Sequence, residues 1–299
     1  MALPLANPQT RRQDTCERSS AFTWRPPRTL LLWHLASLDA PSVAVTWALA
    51  FAWVAGVHLD AWIPLLLACG TWTVYVGDRL LDAHRAITSE ELDGLHERHY
   101  FHWRHRRLLV PLACVTAAVA AALVMRRMPV AARDRNAVLA TAALIYFSGV
   151  HSPARLPHWL RRMASKELLV GLLFTAGCAA PTLSRLPSSD WPLFACLAIF
   201  AALAWVNCFA IETWESPGRP TCVSLRTTIL GIACLTAAAA FAFTDARASA
   251  LVGCAGASAL LLSLLDRRRN RISPLTLRAL ADLVLMTPLV LLIFGARRG

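Results

Sequence analysis

Apolar residues fall into nine runs, roughly 34–58, 61–82, 108–125, 136–151, 166–184, 191–214, 226–244, 247–265 and 276–296, and polar residues gather in the gaps. Each run is near the ~20 residues a helix needs to cross a bilayer. The pattern predicts an all-α, polytopic membrane bundle of about nine transmembrane helices over 29–299, preceded by a polar, Arg-rich tail over 1–28. Pro41, Pro64, Pro111, Pro181 and Pro288 interrupt runs. A bundle tolerates them where neighbouring helices satisfy the freed carbonyls.

Composition supports the pattern. The chain is 57% hydrophobic and 16% charged, against about 25% charged in soluble domains. Lys166 is the only lysine among 30 basic residues, and the net charge of +12 lies between the apolar runs. That distribution suits loops beside membrane lipids and excludes a nucleic-acid surface. The nine cysteines form no CxxC pair and read as small core residues. The first 28 residues hold no apolar stretch of the kind that marks a cleavable signal peptide. Counted over alternate gaps, the basic residues divide 22 against 8, which predicts a cytoplasmic N-terminus and an external C-terminus. The expected location is the bacterial inner membrane. The long gaps near 83–107, 152–165 and 215–225 are then cytoplasmic, and function is expected on that face.

Carboxylates at membrane depth are functional candidates. Asp78 and Asp82 stand i, i+4 at the end of the second run, about 5–6 Å apart at Cβ if helical, with Arg79 and Arg85 beside them. Hard oxygen ligands so placed suit Mg²⁺, which commonly accompanies phosphate; alternatively they pair with the two arginines at a solvated helix end. Glu212 and Glu215 stand i, i+3 at the end of the sixth run, a second candidate pair or a solvated terminus before Pro217. Asn207 lies five residues before Glu212, about 140° around the helix. Lys166 is a phosphate ligand or a snorkelling anchor paired with Glu167. Tyr146 aims a hydroxyl at phosphate or sits as an interfacial aromatic. Asp39 and Asp282 read as structural, paired with Arg278, His34 or backbone. His96, His99, His102 and His105 recur every third residue, but each step of three slips about 60° around a helix. They read better as a basic amphipathic cap, with Tyr100, Phe101 and Trp103 in the interface.

Together these features resemble the UbiA superfamily of intramembrane prenyltransferases, over roughly 34–296. The stretch from Asp78 to Thr88 is similar to the second half of that family's first Asp-rich motif, and Leu38-Asp-Ala-Pro41 to the opening of its first span. Glu212-Thr-Trp-Glu215 occupies the place of the second motif. The departures are Val74 and Tyr75 where the family carries Asn and Asp, and Glu for Asp in the second motif. The family's Tyr-x-x-x-Lys-Arg element has partial counterparts in Tyr146, Arg161-Arg162 and Lys166. The resemblance implies a prenyltransferase that moves a polyprenyl group from a prenyl diphosphate to an aromatic or lipid acceptor. Mg²⁺ would be held by Asp78, Asp82, Glu212 and Glu215. The diphosphate would meet Arg79, Arg85, Arg161, Arg162, Lys166, Tyr146 and Asn207. Two other classes fit the same residues: a non-catalytic membrane protein of this fold, and an ion or solute transporter using buried carboxylates.

Overall fold

The computed structural model describes residues 26–88, 97–151, 166–186, 190–216 and 222–295; among them the chain is all-helical, with no strand. The helices are α1 (Arg28–Leu35), α2 (Asp39–Val54), α3 (Trp62–Thr88), α4 (Glu97–Arg104), α5 (Arg106–Arg127) and α6 (Val130–His151). They continue with α7 (Lys166–Leu183), α8 (Trp191–Glu215), α9 (Val223–Phe241), α10 (Ala246–Arg268), α11 (Pro274–Val284) and α12 (Leu289–Gly295), with a 3₁₀ turn at Arg269–Arg271 between the tenth and eleventh. Several starts are written in the sequence. Asp190 accepts from the Leu193 N–H ahead of Pro192, and Asp245 from the Arg247 and Ala248 N–H groups. Ser273 accepts from the Thr276 N–H, with Pro274 following it. Each satisfies donors that a helix start leaves open.

Helix α2 is the axis of the bundle, packed against α3, α7, α8, α10, α11 and α12. Its many alanines keep it thin, and most of its length is buried. Trp47 stacks on Phe200 of α8 at 4.0 Å and donates its indole N–H to the Leu285 carbonyl at 2.8 Å. That bond satisfies a carbonyl just where α11 ends, so one side chain ties three helices together. Helices α7 and α8 come close together at Gly171, where an added Cβ would stand 2.9 Å from the Trp205 backbone nitrogen. Backbone cannot give way as a side-chain tip can. Gly171→Ala is expected to lower stability by about 1–3 kcal/mol, read as a lower unfolding temperature in detergent. An unchanged melt would mean the two helices separate freely.

Among the described residues, four helices are long and apolar enough to cross a membrane: α5, α8, α9 and α10 with its 3₁₀ extension. Helices α1 and α2, bent by 87° at their junction, make a fifth if taken as one broken span. The chain is thus a membrane protein by its helices. The other expected spans are helical but fall outside that criterion among the described residues, for physical reasons. Helix α3 spends its last third on Asp78, Arg79, Asp82 and Arg85, the apolar part of α7 is short, and the last run breaks into α11 and α12. Helix α5 exposes Leu108, Val110, Leu112, Val115, Val119 and Met125 around its circumference. An apolar surface of that extent belongs against lipid.

Candidate functional site

The site begins at the break between α1 and α2. Ser37 sits there with φ of +58°, fully buried. A non-glycine residue in the left-handed region costs of order 1–3 kcal/mol and persists only where its surroundings hold it. They do so here through α3 and α4. Arg79 Nη1 donates to the His34 carbonyl at 2.9 Å, and the Trp72 indole donates to the Ala36 carbonyl at 2.9 Å, closing the end of α1. His102 Nδ1 donates to the Arg98 carbonyl at 2.7 Å, which leaves Nε2 to accept the Ser37 hydroxyl at 3.0 Å.

Burial pushes the His102 imidazole down to about 4, with the Arg79 charge acting in the same direction and the bond to the Arg98 carbonyl against it. Between pH 4 and 6.5 the unfolded chain therefore binds a proton at this residue that the folded chain refuses. Stability should be level above pH 6.5 and fall as pH drops towards 4, by on the order of 3 kcal/mol. The pH dependence of the melting temperature measures this, and His102→Gln should flatten that part of the slope. A slope that survives the substitution would assign it to other groups.

Behind the break lies a cluster of charges drawn from distant parts of the chain. Asp39 is buried, with Oδ1 accepting from the Ala40 N–H at 2.9 Å and Oδ2 lying 3.4 Å from Arg79 Nη2. His34 Nδ1 stands 2.6 Å from Asp39 Oδ2 and 3.8 Å from Asp282 Oδ2. Asn207 Nδ2 donates to Asp282 Oδ1 at 3.4 Å. One layer on, Glu215 Oε1 accepts from both Arg98 Nη1 and Arg278 Nη1 at 2.7 Å. Arg98 also donates through Nε to His99 Nε2 at 3.1 Å. Burial and the nearby Arg278 charge lower the Arg98 guanidinium from its ordinary value, with Glu215 opposing them and Arg79 adding to them. Three carboxylates (Asp39, Asp282, Glu215) thus meet three guanidinium groups (Arg79, Arg98, Arg278). Taken by themselves these formal charges pair one to one.

The residues singled out in the sequence distribute unevenly around this cluster. Asp78 and Asp82 are half-buried on α3, flanking the inward-pointing Arg79, while Arg85 is exposed. Asn207 is buried within the cluster. Glu215 points inward and Glu212 outward, so the two do not share a surface. Tyr146 and Lys166 lie in α6 and α7, but their side chains, like Arg161 and Arg162 altogether, lie outside the described residues. Asp39 and Asp282, expected to be structural, pair as the sequence suggested with His34 and, for Asp39, with backbone; they are also the centre of the cluster. Of the histidine run, His99 and His102 are buried on α4 and His105 is exposed.

For Mg²⁺, the fit differs between the two carboxylate pairs. Asp78 and Asp82 lie on one helix face, half-buried and close to Arg79, an arrangement suited to a hard, hydrated ion that keeps several waters. Glu215 is already neutralised by two arginines and Glu212 faces away, so this pair offers no ready cradle. A separate space lies at the other end of α3. A cavity of about 350 Å³ opens between α3, α5, α6 and α7, lined by apolar side chains including Ile63, Leu66, Leu67, Val124 and Leu173. Leu67 and Asp78 are eleven residues apart on one helix, about 17 Å. No family model, curated protein or solved structure matches the chain.

Proposed function

We propose that the chain is a UbiA-like intramembrane prenyltransferase of about nine spans, acting on a prenyl diphosphate and an aromatic or lipid acceptor. The observation that carries this reading is the pairing of two environments along α3. At one end Asp78 and Asp82 adjoin Arg79, which lies within electrostatic reach of Arg98; at the other lies an apolar cavity. A substrate with a charged head and a long isoprenoid tail asks for this combination. Mg²⁺, held by Asp78 and Asp82, would neutralise the diphosphate. Arg79, Arg98 and Arg278 would orient it and hold the charge that develops on the leaving group, with Glu215 keeping the latter two arginines aimed. Such preorganised charge is ordinarily the largest contribution to catalysis. The apolar bundle would shield the allylic cation from water. By the distribution of basic residues, the charged end faces the cytoplasm.

The test is turnover. Purified protein in nanodiscs, supplied with Mg²⁺, labelled geranyl, farnesyl or geranylgeranyl diphosphate and a bacterial lipid extract, should release diphosphate and label an extract component. Failure with every donor, from protein that melts cooperatively, would remove the enzymatic reading. A second reading, ion transport, is favoured by the meeting of His34, Asp39 and Asp282 inside the bundle. It would require proteoliposome flux that Asp39→Asn or Asp282→Asn abolishes.

A further inference from the structure

His34, Asp39 and Asp282 converge from α1, α2 and α11 so that one ligand atom from each lies within 4.8 Å of the others. The orientation is specific. Each carboxylate has Oδ1 tied by an N–H donor, Ala40 for Asp39 and Asn207 for Asp282, and each turns Oδ2 towards His34 Nδ1. Outer hydrogen bonds that fix ligands in this way are characteristic of metal sites. The imidazole, by contrast, is only partly satisfied, through the approach of Nδ1 to Asp39. His34 is fully buried, and neither ring nitrogen has an aligned hydrogen bond among the described residues. The 2.6 Å approach to Asp39 is short enough for one, but the N–H axis does not point along it. Asn207 Oδ1 is buried beside them, also without a donor. A buried polar atom left unpaired costs about 1–3 kcal/mol, so a cluster with two such groups lacks something.

We infer that His34, Asp39 and Asp282 form a binding site for a divalent first-row transition-metal ion. An imidazole nitrogen with two carboxylate oxygens matches Zn²⁺, Fe²⁺ or Mn²⁺ better than Mg²⁺, which favours oxygen and water alone. Ligand bonds of about 2.0–2.2 Å require Nδ1 and Asp39 Oδ2 to part by about half an ångström from their present separation. Asp39 and Asp282 offset the charge of the ion, which leaves Glu215 facing Arg79, Arg98 and Arg278 until an anion joins them. Arg79, bonded to the His34 carbonyl and near Asp39 Oδ2, stays outside the ligand set as an orienting group. This site is separate from the Asp78 and Asp82 pair, and the inference stands whether or not the prenyltransfer reading holds.

The test uses full-length protein, freed of metal with a chelator and titrated with Zn²⁺, Mn²⁺ and Mg²⁺ separately, with bound metal counted by mass spectrometry. One equivalent of Zn²⁺ or Mn²⁺ that depends on His34 should bind, with Mg²⁺ at least tenfold weaker at that site. His34→Gln and Asp282→Asn should each weaken binding at least tenfold, while Glu212→Ala, at an exposed position, leaves it unchanged. Zinc X-ray absorption on the wild-type protein provides a reading that needs no variant. It should show one imidazole nitrogen among oxygen ligands. A sulfur shell, which scattered cysteines would supply, overturns the proposal, as does the absence of stoichiometric binding by both Zn²⁺ and Mn²⁺. Binding unchanged in both His34→Gln and Asp282→Asn overturns it too.

Discussion

Glu215→Ala should destabilise the protein by about 3 kcal/mol, the lower end of what breaking a buried ion pair costs. Glu215 is 20% exposed, Arg98 12% and Arg278 22%, so water reaches the trio only in part. One carboxylate serves both guanidinium groups, and its removal leaves two like charges facing each other in a poorly solvated space. The three residues also come from α8, α4 and α11, so the loss loosens the cap and the end of the bundle together. Denaturant titration in detergent measures the effect. Glu215→Gln, which keeps the shape and one acceptor oxygen, should lose less. Glu212→Ala should stay within about 0.5 kcal/mol of the wild type, as exposed positions do. Equal losses at 212 and 215 would contradict the inward and outward assignment.

The other large effect concerns turnover. Asp78→Ala and Asp82→Ala should each reduce Mg²⁺-dependent diphosphate release about 10²-fold or more, the scale of a lost charge-stabilising group at a reacting centre. Both side chains are half-buried on α3, and the melting temperature of each variant is read beside its turnover. Asp78→Glu keeps the charge on a longer stem and should retain part of the activity. Loss of turnover matched by an equal loss of folded protein would remove the case for a metal-holding role.

The sequence made much of this legible. Apolar runs of membrane length announced the helices, and Asp190, Asp245 and Ser273 marked where three of them begin. The position of Asp78, Asp82 and Arg79 at a charged helix end was readable from periodicity alone. The centre of the cluster was less so. Asp39 and Asp282 are separated by most of the chain, and no spacing rule links them. Arg98 counted in the sequence only among the basic residues of a gap, and Arg278 beyond that count only as a partner for Asp39 or Asp282, because nothing local shows that both will turn towards Glu215. The i, i+3 spacing of Glu212 and Glu215 suggested a shared face. The helix places them on either side of its boundary with solvent, since a step of three leaves residues about 60° apart. The 87° bend at Ser37 had no glycine or proline at its pivot to signal it. It is enforced by Trp72, Arg79 and His102, all remote in sequence.

Equilibrium binding of labelled farnesyl diphosphate to the protein in nanodiscs, with and without Mg²⁺, tests the prenyl diphosphate reading most directly. The expected result is saturable binding at one site that needs Mg²⁺, is competed by inorganic diphosphate, and is lost when Asp78 and Asp82 are both replaced by Ala. Farnesol should bind no better than it partitions into empty nanodiscs. Binding of farnesol equal to that of its diphosphate, or no uptake of the diphosphate above the lipid background, would contradict the reading.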